Sequence, residues 1–293
     1  MSSTAFNPSV EVEHDGIVPA PLVVELYRKM LTTFYVEERM KIFVKQGKCP
    51  FHASTRGHEK LQIGMTLLLK PGHDWFFTYY REKAIAIGLG LPLKELFLGM
   101  LNRAGDPNSN GRNMPEHFSH RDLKLVAQTA CTGTQFLPAV GMAKAIKQDG
   151  ADQVVYASSG EGATSEGEFF EALNWAARER LPVLFVIQNN GYAISVPQAT
   201  QTTAEIHRIA RGFGMPTYDL DGTWFEPMYQ LLPSLIERMR RGGGPALVEG
   251  QVIRLDPPSS SADHRKYRDQ EELQGLQVRD PIYQTERYLL RNK

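Results

Sequence analysis

Two short apolar runs, Val154–Ala157 and Val183–Ile187, constrain this chain more than any other feature. Both are too short for a core helix and rich in β-branched and aromatic residues, so they are predicted to be buried parallel strands. Between them, Ser165 to Glu179 puts Phe169, Leu173 and Ala176 on one face of a helix. This is a strand–loop–helix–strand unit. Open α/β sheets bind ligands beyond the carboxyl ends of their strands, so the chemistry belongs in the loops that follow the two runs.

Those loops carry matching groups. After the first run comes Gly160-Glu161-Gly162. Glycines let backbone approach a phosphate, and the helix start behind them favours negative charge. The Glu161 carboxylate would repel a bare phosphate, which makes sense if a hard divalent cation lies between them. After the second run, Asn189-Asn190-Gly191-Tyr192 offers an amide oxygen and a freed backbone carbonyl. Glu161 and Asn190 stand 29 positions apart, the length of one crossover, so neighbouring strands deliver both to one place. Magnesium held by few protein oxygens and completed by diphosphate oxygens fits this set. A plain turn is the bland reading. A nicotinamide-binding loop is the rival, but its fingerprint wants a third glycine where Ser165 stands.

The pairing of Gly-Glu-Gly with Asn-Asn resembles the thiamin diphosphate motif. The continuations Ala163–Glu168 and Gly191–Ser195 are similar to the α subunit of 2-oxoacid dehydrogenases, with the glutamate most like the branched-chain branch. The resemblance spans about residues 20 to 290. It implies an α/β fold, a mainly parallel sheet flanked by helices on both faces. It implies oxidative decarboxylation of a 2-oxoacid, branched-chain before pyruvate, with acyl transfer to a lipoyl-bearing acyltransferase. It further implies an α2β2 assembly in which the β subunit supplies the carboxylate that activates the cofactor, so the isolated chain should have little activity.

Residue by residue, the resemblance implies that Glu161, Asn190 and the carbonyl of Tyr192 hold magnesium. Gly160, Gly162, Ala163, Thr132 and Gln188 become cofactor contacts, although Gln188 stands where the branched-chain subunit has arginine. Tyr80-Arg81 resembles a pair that contacts the diphosphate, a task that suits the planar arginine fork; a surface salt bridge is the other reading of Arg81. His58 stands where the family has glutamine or glutamate. His117, in Gly111–His117, either faces the active centre as a catalytic group or is a hydrogen-bonded loop histidine. In the family the turn over residues 128–135 binds potassium. Thr134 and Gln135 match it, whereas Thr129 and Cys131 are different residue types; an ordinary helix start with a threonine cap is the alternative.

The loop from Arg254 to Tyr267 departs from the family, which has Arg-x-x-x-His-Ser-x-x-Asp-Asp there. In register its histidine is Pro258 and its first aspartate is Ala262, while Asp263 survives. The family histidine reaches the diphosphate and helps acyl transfer, and proline can do neither. Either His264 stands in as the catalytic group, or the chain is a catalytically impaired partner that still binds cofactor; the paired loss favours the second. Ser259–Ser261 resembles a regulatory phosphorylation site, with a serine-rich mobile loop as the plainer reading.

Composition narrows the rest. The 293 residues carry 33 basic and 33 acidic side chains, so no nucleic-acid or acidic-membrane footprint is expected. Two cysteines suit a reducing cytosol, no apolar run is long enough to span a bilayer, and Met1–Gly16 does not read as a leader, so a cytoplasmic protein is expected. Residues 1–20 are expected to be a flexible arm and 21–293 one domain. Helices are predicted at Pro21–Val44, Leu93–Leu101, Phe136–Lys147, Glu205–Arg211 and Met228–Arg241, and strands at Thr217–Asp221 and Pro245–Ile253.

Overall fold

The computed structural model describes residues 18–127 and 129–292. Strands β1 (Trp75–Phe77), β2 (Val155–Gly160), β3 (Val183–Asn189), β6 (Thr217–Asp221) and β7 (Ala246–Gln251) form one sheet in the order β1-β2-β3-β7-β6. Every pairing in it is parallel. β4 (Tyr192–Ala193) and β5 (Val196–Pro197) make a separate antiparallel hairpin just past the end of β3.

Eleven helices surround the sheet among the described residues: α1 (Ala20–Lys45), α2 (Glu59–Leu68), α3 (Lys83–Leu89), α4 (Leu93–Met100), α5 (Phe136–Gln148), α6 (Gly167–Glu179), α7 (Gln198–Gln201), α8 (Ile206–Arg211), α9 (Glu226–Arg240), α10 (Gln270–Gln277) and α11 (Pro281–Arg291). Successive strand residues point to opposite faces. Tyr156, Leu184, Val186, Ala246 and Val248 therefore pack with Met30 of α1, Leu61 of α2, Ala84 of α3 and Met228 of α9. Val155, Ala157, Val183, Phe185, Ile187 and Leu247 pack with Phe136 of α5, Phe169 of α6 and Ile206 of α8. The expected α/β architecture, with helices on both faces, is what forms. No helix among the described residues is long and apolar enough to cross a membrane.

The differences from expectation are local. The helix expected from Ser165 starts at Gly167, because Glu161–Ser165 first coils into a 3-10 turn. β1 escapes sequence reading because three residues show no alternation, and it is set by pairing with Val155–Ala157. α3 ends on Gly90 at φ 98, a left-handed cap that glycine adopts without Cβ cost. Residues 1–17 of the expected arm lie outside the described residues; Val18 is already buried and α1 is under way at Ala20.

Four charged side chains lie wholly inside this frame. Lys83 Nζ, at the start of α3, is 2.9 Å from Glu37 Oε1 and 2.8 Å from Glu116 Oε1. His52 Nδ1 is 2.6 Å from Glu116 Oε1, and His52 Nε2 is 2.9 Å from Glu37 Oε2. The backbone N–H groups of Thr55 and Ala53 donate to Glu37 and Glu116 at 3.0 and 2.5 Å. Two cations balance two anions once His52 is protonated. Although burial works against ionisation, Lys83 and His52 hold both carboxyls below their usual range. Burial likewise opposes a charged His52, but Glu116 and Glu37 raise it above its ordinary 6.5. Removing one member strands the others, so Lys83→Met should cost about 3–5 kcal/mol, read by urea denaturation. The pH response has two edges. The carboxylates contribute fully above their ordinary 4.5 and lose that as pH falls through their depressed values, while His52 contributes below 6.5 and loses it as pH rises through its raised value. Wild-type stability from this network should therefore be greatest between those limits.

Candidate active site

The β2–β3 register sets Gly160 opposite Gln188, so the turns that follow the two strands are neighbours. The Asn190 backbone N–H donates to Glu161 Oε2 at 3.3 Å, which places the two expected metal ligands side by side. Asn190 Oδ1 accepts from the Tyr192 N–H at 3.3 Å, and the Tyr192 carbonyl lies 3.4 Å from Arg254 Nη1. Glu161, Asn190 and Tyr192 are thus brought together as expected.

Glu161 is 1% exposed, and its Oε1 is buried with no hydrogen-bond partner. Burial, opposed by backbone donors and by Arg254 and Arg81, pushes its carboxyl above the usual range. An unpaired buried carboxylate oxygen costs several kcal/mol unless a proton or a cation meets it. Among the described residues no three His, Cys, Asp or Glu side chains gather as a metal site. A cation here would rely on one carboxylate, an amide and carbonyl oxygens, completed by a ligand, as magnesium beside a diphosphate does. The donor set fits that group.

Packing separates the expected glycines. A Cβ on Gly162 would sit 2.8 Å from the Cβ of Ala193 in the β4–β5 hairpin, so glycine is what lets turn and hairpin meet. A Cβ on Gly160 would find only ordinary contact with Tyr79, at 3.8 Å, so close packing does not demand glycine there. Ala163 is buried, and its carbonyl accepts the Glu166 N–H at 3.2 Å, holding the 3-10 turn.

The positive side of the site is built from arginines. Arg81 is buried, so the surface salt-bridge reading fails; it donates to the carbonyls of Ser54 and Pro258 at 2.7 and 3.0 Å. Its guanidinium lies 5.3 Å from the Tyr80 ring centre, and Tyr80 in turn lies 6.5 Å from the His117 ring. Tyr80, Arg81 and His117 therefore form one group. His117 Nδ1 is 3.1 Å from the Pro115 carbonyl, and the preceding Glu116 is held at φ 71, strained backbone locked by the buried charges.

Arg254 belongs to the site and was not singled out from the sequence. It is 2% exposed, donates to the Ile194 carbonyl at 2.9 Å and the Tyr267 hydroxyl at 2.8 Å, and its Nε is buried without a partner. Burial, then Arg81 and Arg268, hold its guanidinium below its usual value, although Tyr267 opposes them. The donors of Arg81 and Arg254 go to carbonyls and a phenol, so this buried positive charge suits an anion. The signal available in the sequence was its place just past a predicted strand, at the head of the Arg-x-x-x-His pattern.

Other expectations shift. Gln188, expected as a cofactor contact, is held by protein partners. It is fully buried: Nε2 donates to Glu82 Oε1 at 2.5 Å, while Oε1 accepts from Gln62 Nε2 at 2.8 Å and meets His58 Nδ1 at 3.0 Å. It therefore ties the end of β3 to His58, to α2 and to the segment that follows Arg81. Burial first, then Arg81, depresses His58 to about 3, so it is a neutral buried ring. Glu82 is pushed by burial to about 7, against donors from Ser158, Tyr156 and Tyr79.

Thr129 and Thr134 hydroxyls touch each other and both donate to the Cys131 carbonyl at 2.8 Å, so three oxygens of the expected potassium turn do gather. Gln135 does not join them through its side-chain nitrogen, which turns inward to the Ser158 carbonyl at 2.7 Å. Thr132 is exposed on the same turn. His264 Nδ1 is buried without a partner, and burial followed by Arg268 and Arg254 lowers its pKa, so the loop carries it to the arginine group.

Comparison with known proteins agrees with this geometry. Residues 27–293 match the family described as dehydrogenase E1 component. The chain belongs to the dehydrogenase E1 component family. It is 38% identical over 267 residues to the 2-oxoisovalerate dehydrogenase subunit alpha of Bacillus subtilis, covering 91% of this chain and 81% of that relative. It is 33% identical to the 3-methyl-2-oxobutanoate dehydrogenase subunit alpha of Mycobacterium tuberculosis, covering 96% and 74%. It is 32% identical to the pyruvate dehydrogenase E1 component subunit alpha of Staphylococcus aureus, covering 91% and 70%. For this E1 chain, Gly162→Ala should force the hairpin off the 3-10 turn and cost about 1–3 kcal/mol. Thermal denaturation should read the loss, whereas Gly160→Ala should change the melting point far less.

Proposed function

We propose that this chain is the α subunit of a 2-oxoacid dehydrogenase that works with a β subunit and a lipoyl-bearing acyltransferase. Branched-chain 2-oxoacids are the favoured substrates, with pyruvate next; the two relatives named for branched-chain substrates support that order. The single observation that carries the reading is the buried, unpartnered Glu161 Oε1 beside Asn190, ringed by Arg81 and Arg254. Thiamin diphosphate, when bound, supplies the carbanion chemistry that lets carbon dioxide leave a 2-oxoacid.

Glu161, Asn190 and the Tyr192 carbonyl hold magnesium in this reading, and Arg81 and Arg254 bind the diphosphate, with Tyr80 packed beside them. Thr129, Thr134 and the Cys131 carbonyl take potassium, a reading supported by their convergence. Both cysteines are free, in keeping with a cytoplasmic assignment. Glu161→Ala combined with Asn190→Ala should abolish magnesium-dependent thiamin diphosphate binding, measured by calorimetry on the chain reconstituted with its β subunit. Unchanged affinity would remove this function. Comparing turnover on branched-chain 2-oxoacids and pyruvate assigns the substrate.

In this reading His117 and His264 hold or move a proton near the arginines. The relatives' names favour an active subunit over an impaired partner, and His264 offers the group that Pro258 lacks. Its pKa is lowered from 6.5, so it is neutral at pH 7 and its unpartnered Nδ1 can accept a proton. His264→Ala should slow acyl transfer to lipoyl by about a hundredfold while leaving decarboxylation with an artificial electron acceptor near wild type. The acid limb of acyl transfer should lie below pH 6.5 in the wild type. An unaffected variant would instead favour the impaired-partner reading.

A further inference from the structure

Glu249 lies in the middle of β7, between β3 and β6, and is fully buried. Its register neighbours are the apolar Ile187 and the acidic Asp219, so the sheet itself gives this carboxylate no compensation. A buried carboxylate persists only where donors saturate it. Two groups do so. Oε2 accepts from the His207 backbone N–H at 2.9 Å and from His207 Nδ1 at 2.7 Å. Oε1 accepts from Asn189 Nδ2 at 2.6 Å.

Asn189 is then fixed on every side. Its Nδ2 also donates to Gln198 Oε1 at 2.8 Å, its carbonyl accepts the Val252 N–H at 2.8 Å, and its Oδ1 accepts the Gly191 N–H at 2.9 Å. That last bond curls the chain through Gly191, which sits at φ 83 where a side chain would strain the backbone. The curl sets the Asn190 N–H on Glu161 and the Tyr192 carbonyl on Arg254.

We propose that Glu249 is a positioning residue for the cation site, acting through Asn189 to set the turn that carries Asn190 and Tyr192. The proposal rests on the reading of Glu161, Asn190 and Tyr192 as magnesium ligands. Outer partners of metal ligands commonly govern affinity about ten- to a hundredfold, and Glu249 reaches the ligands through one intervening side chain. Its other partner, His207, lies in α8 and ties that helix to β7.

The test is calorimetric titration of thiamin diphosphate into the α chain reconstituted with its β subunit, at graded magnesium. Glu249→Gln and Asn189→Ala should each raise the magnesium concentration for half-maximal binding about tenfold. At saturating magnesium, thiamin diphosphate affinity should return to within about twofold of wild type, a rescue that general loosening of the fold would not allow. The double variant should be no worse than either single one, because the two side chains act in series. Wild-type magnesium dependence in Glu249→Gln or in Asn189→Ala, or additive losses in the double variant, overturns the proposal, and Glu249→Asp, which keeps the charge but shortens the reach to Asn189, decides it if Glu249→Gln fails to fold. Glu161→Ala separates the two levels: if it keeps magnesium-dependent binding, the parent reading falls, and if only it loses binding, the positioning role alone falls.

Discussion

The parallel pairing of β2 with β3 is the interaction on which the site depends. Six consecutive residue pairs, from Val155 with Val183 to Gly160 with Gln188, run to the end of β2 and to the last residue but one of β3. A slip by one residue would turn Tyr156, Leu184 and Val186 out of one core layer and into the other. It would also separate Glu161 from Asn190. The hydrophobic pattern that sorts side chains between the two helical layers therefore also fixes the distance between the two candidate cation ligands.

Around that pairing the interior is unusually charged. The quartet of Glu37, His52, Lys83 and Glu116 is balanced by its own members. The group around Glu161 is not: Arg81 and Arg254 spend their donors on carbonyls and a phenol, and Glu161 Oε1 meets nothing. This contrast separates a structural network from a binding site. Buried charge that is internally complete holds elements together, and buried charge that is incomplete points to a ligand carrying both signs, as a cation–diphosphate pair does. The two networks touch, because the backbone N–H of His52 donates to Ser260 Oγ at 3.1 Å and its carbonyl accepts the Ser260 N–H at 2.7 Å. The loop that lacks the family histidine is thus moored to the balanced network, and its Pro258 carbonyl rests on Arg81.

The residues that lie nearest one another in the sequence motif were the legible ones. Glu161, Asn190 and Tyr192 follow from glycine placement and crossover length, and Tyr80-Arg81 from a local pair. Gln188 and Gln135 have side-chain partners that their places in the sequence hide. Each sits beside true loop residues in sequence, yet the local backbone turns it inward, where Glu82 and the Ser158 carbonyl take its amide. Arg254 and Glu249 were missed because their partners, Tyr192 and Asn189, lie about 60 residues away.

By itself the sequence determined the strand–helix–strand unit, the two-faced sheet and the chemistry of its loop tips, because these rest on side-chain periodicity and on residues close along the chain. Only the tertiary structure decided which buried charges are satisfied and which are left bare. That choice depends on strands and loops from distant parts of the chain meeting at the carboxyl ends of the inner strands, and burial there changes the cost of every unpaired polar atom.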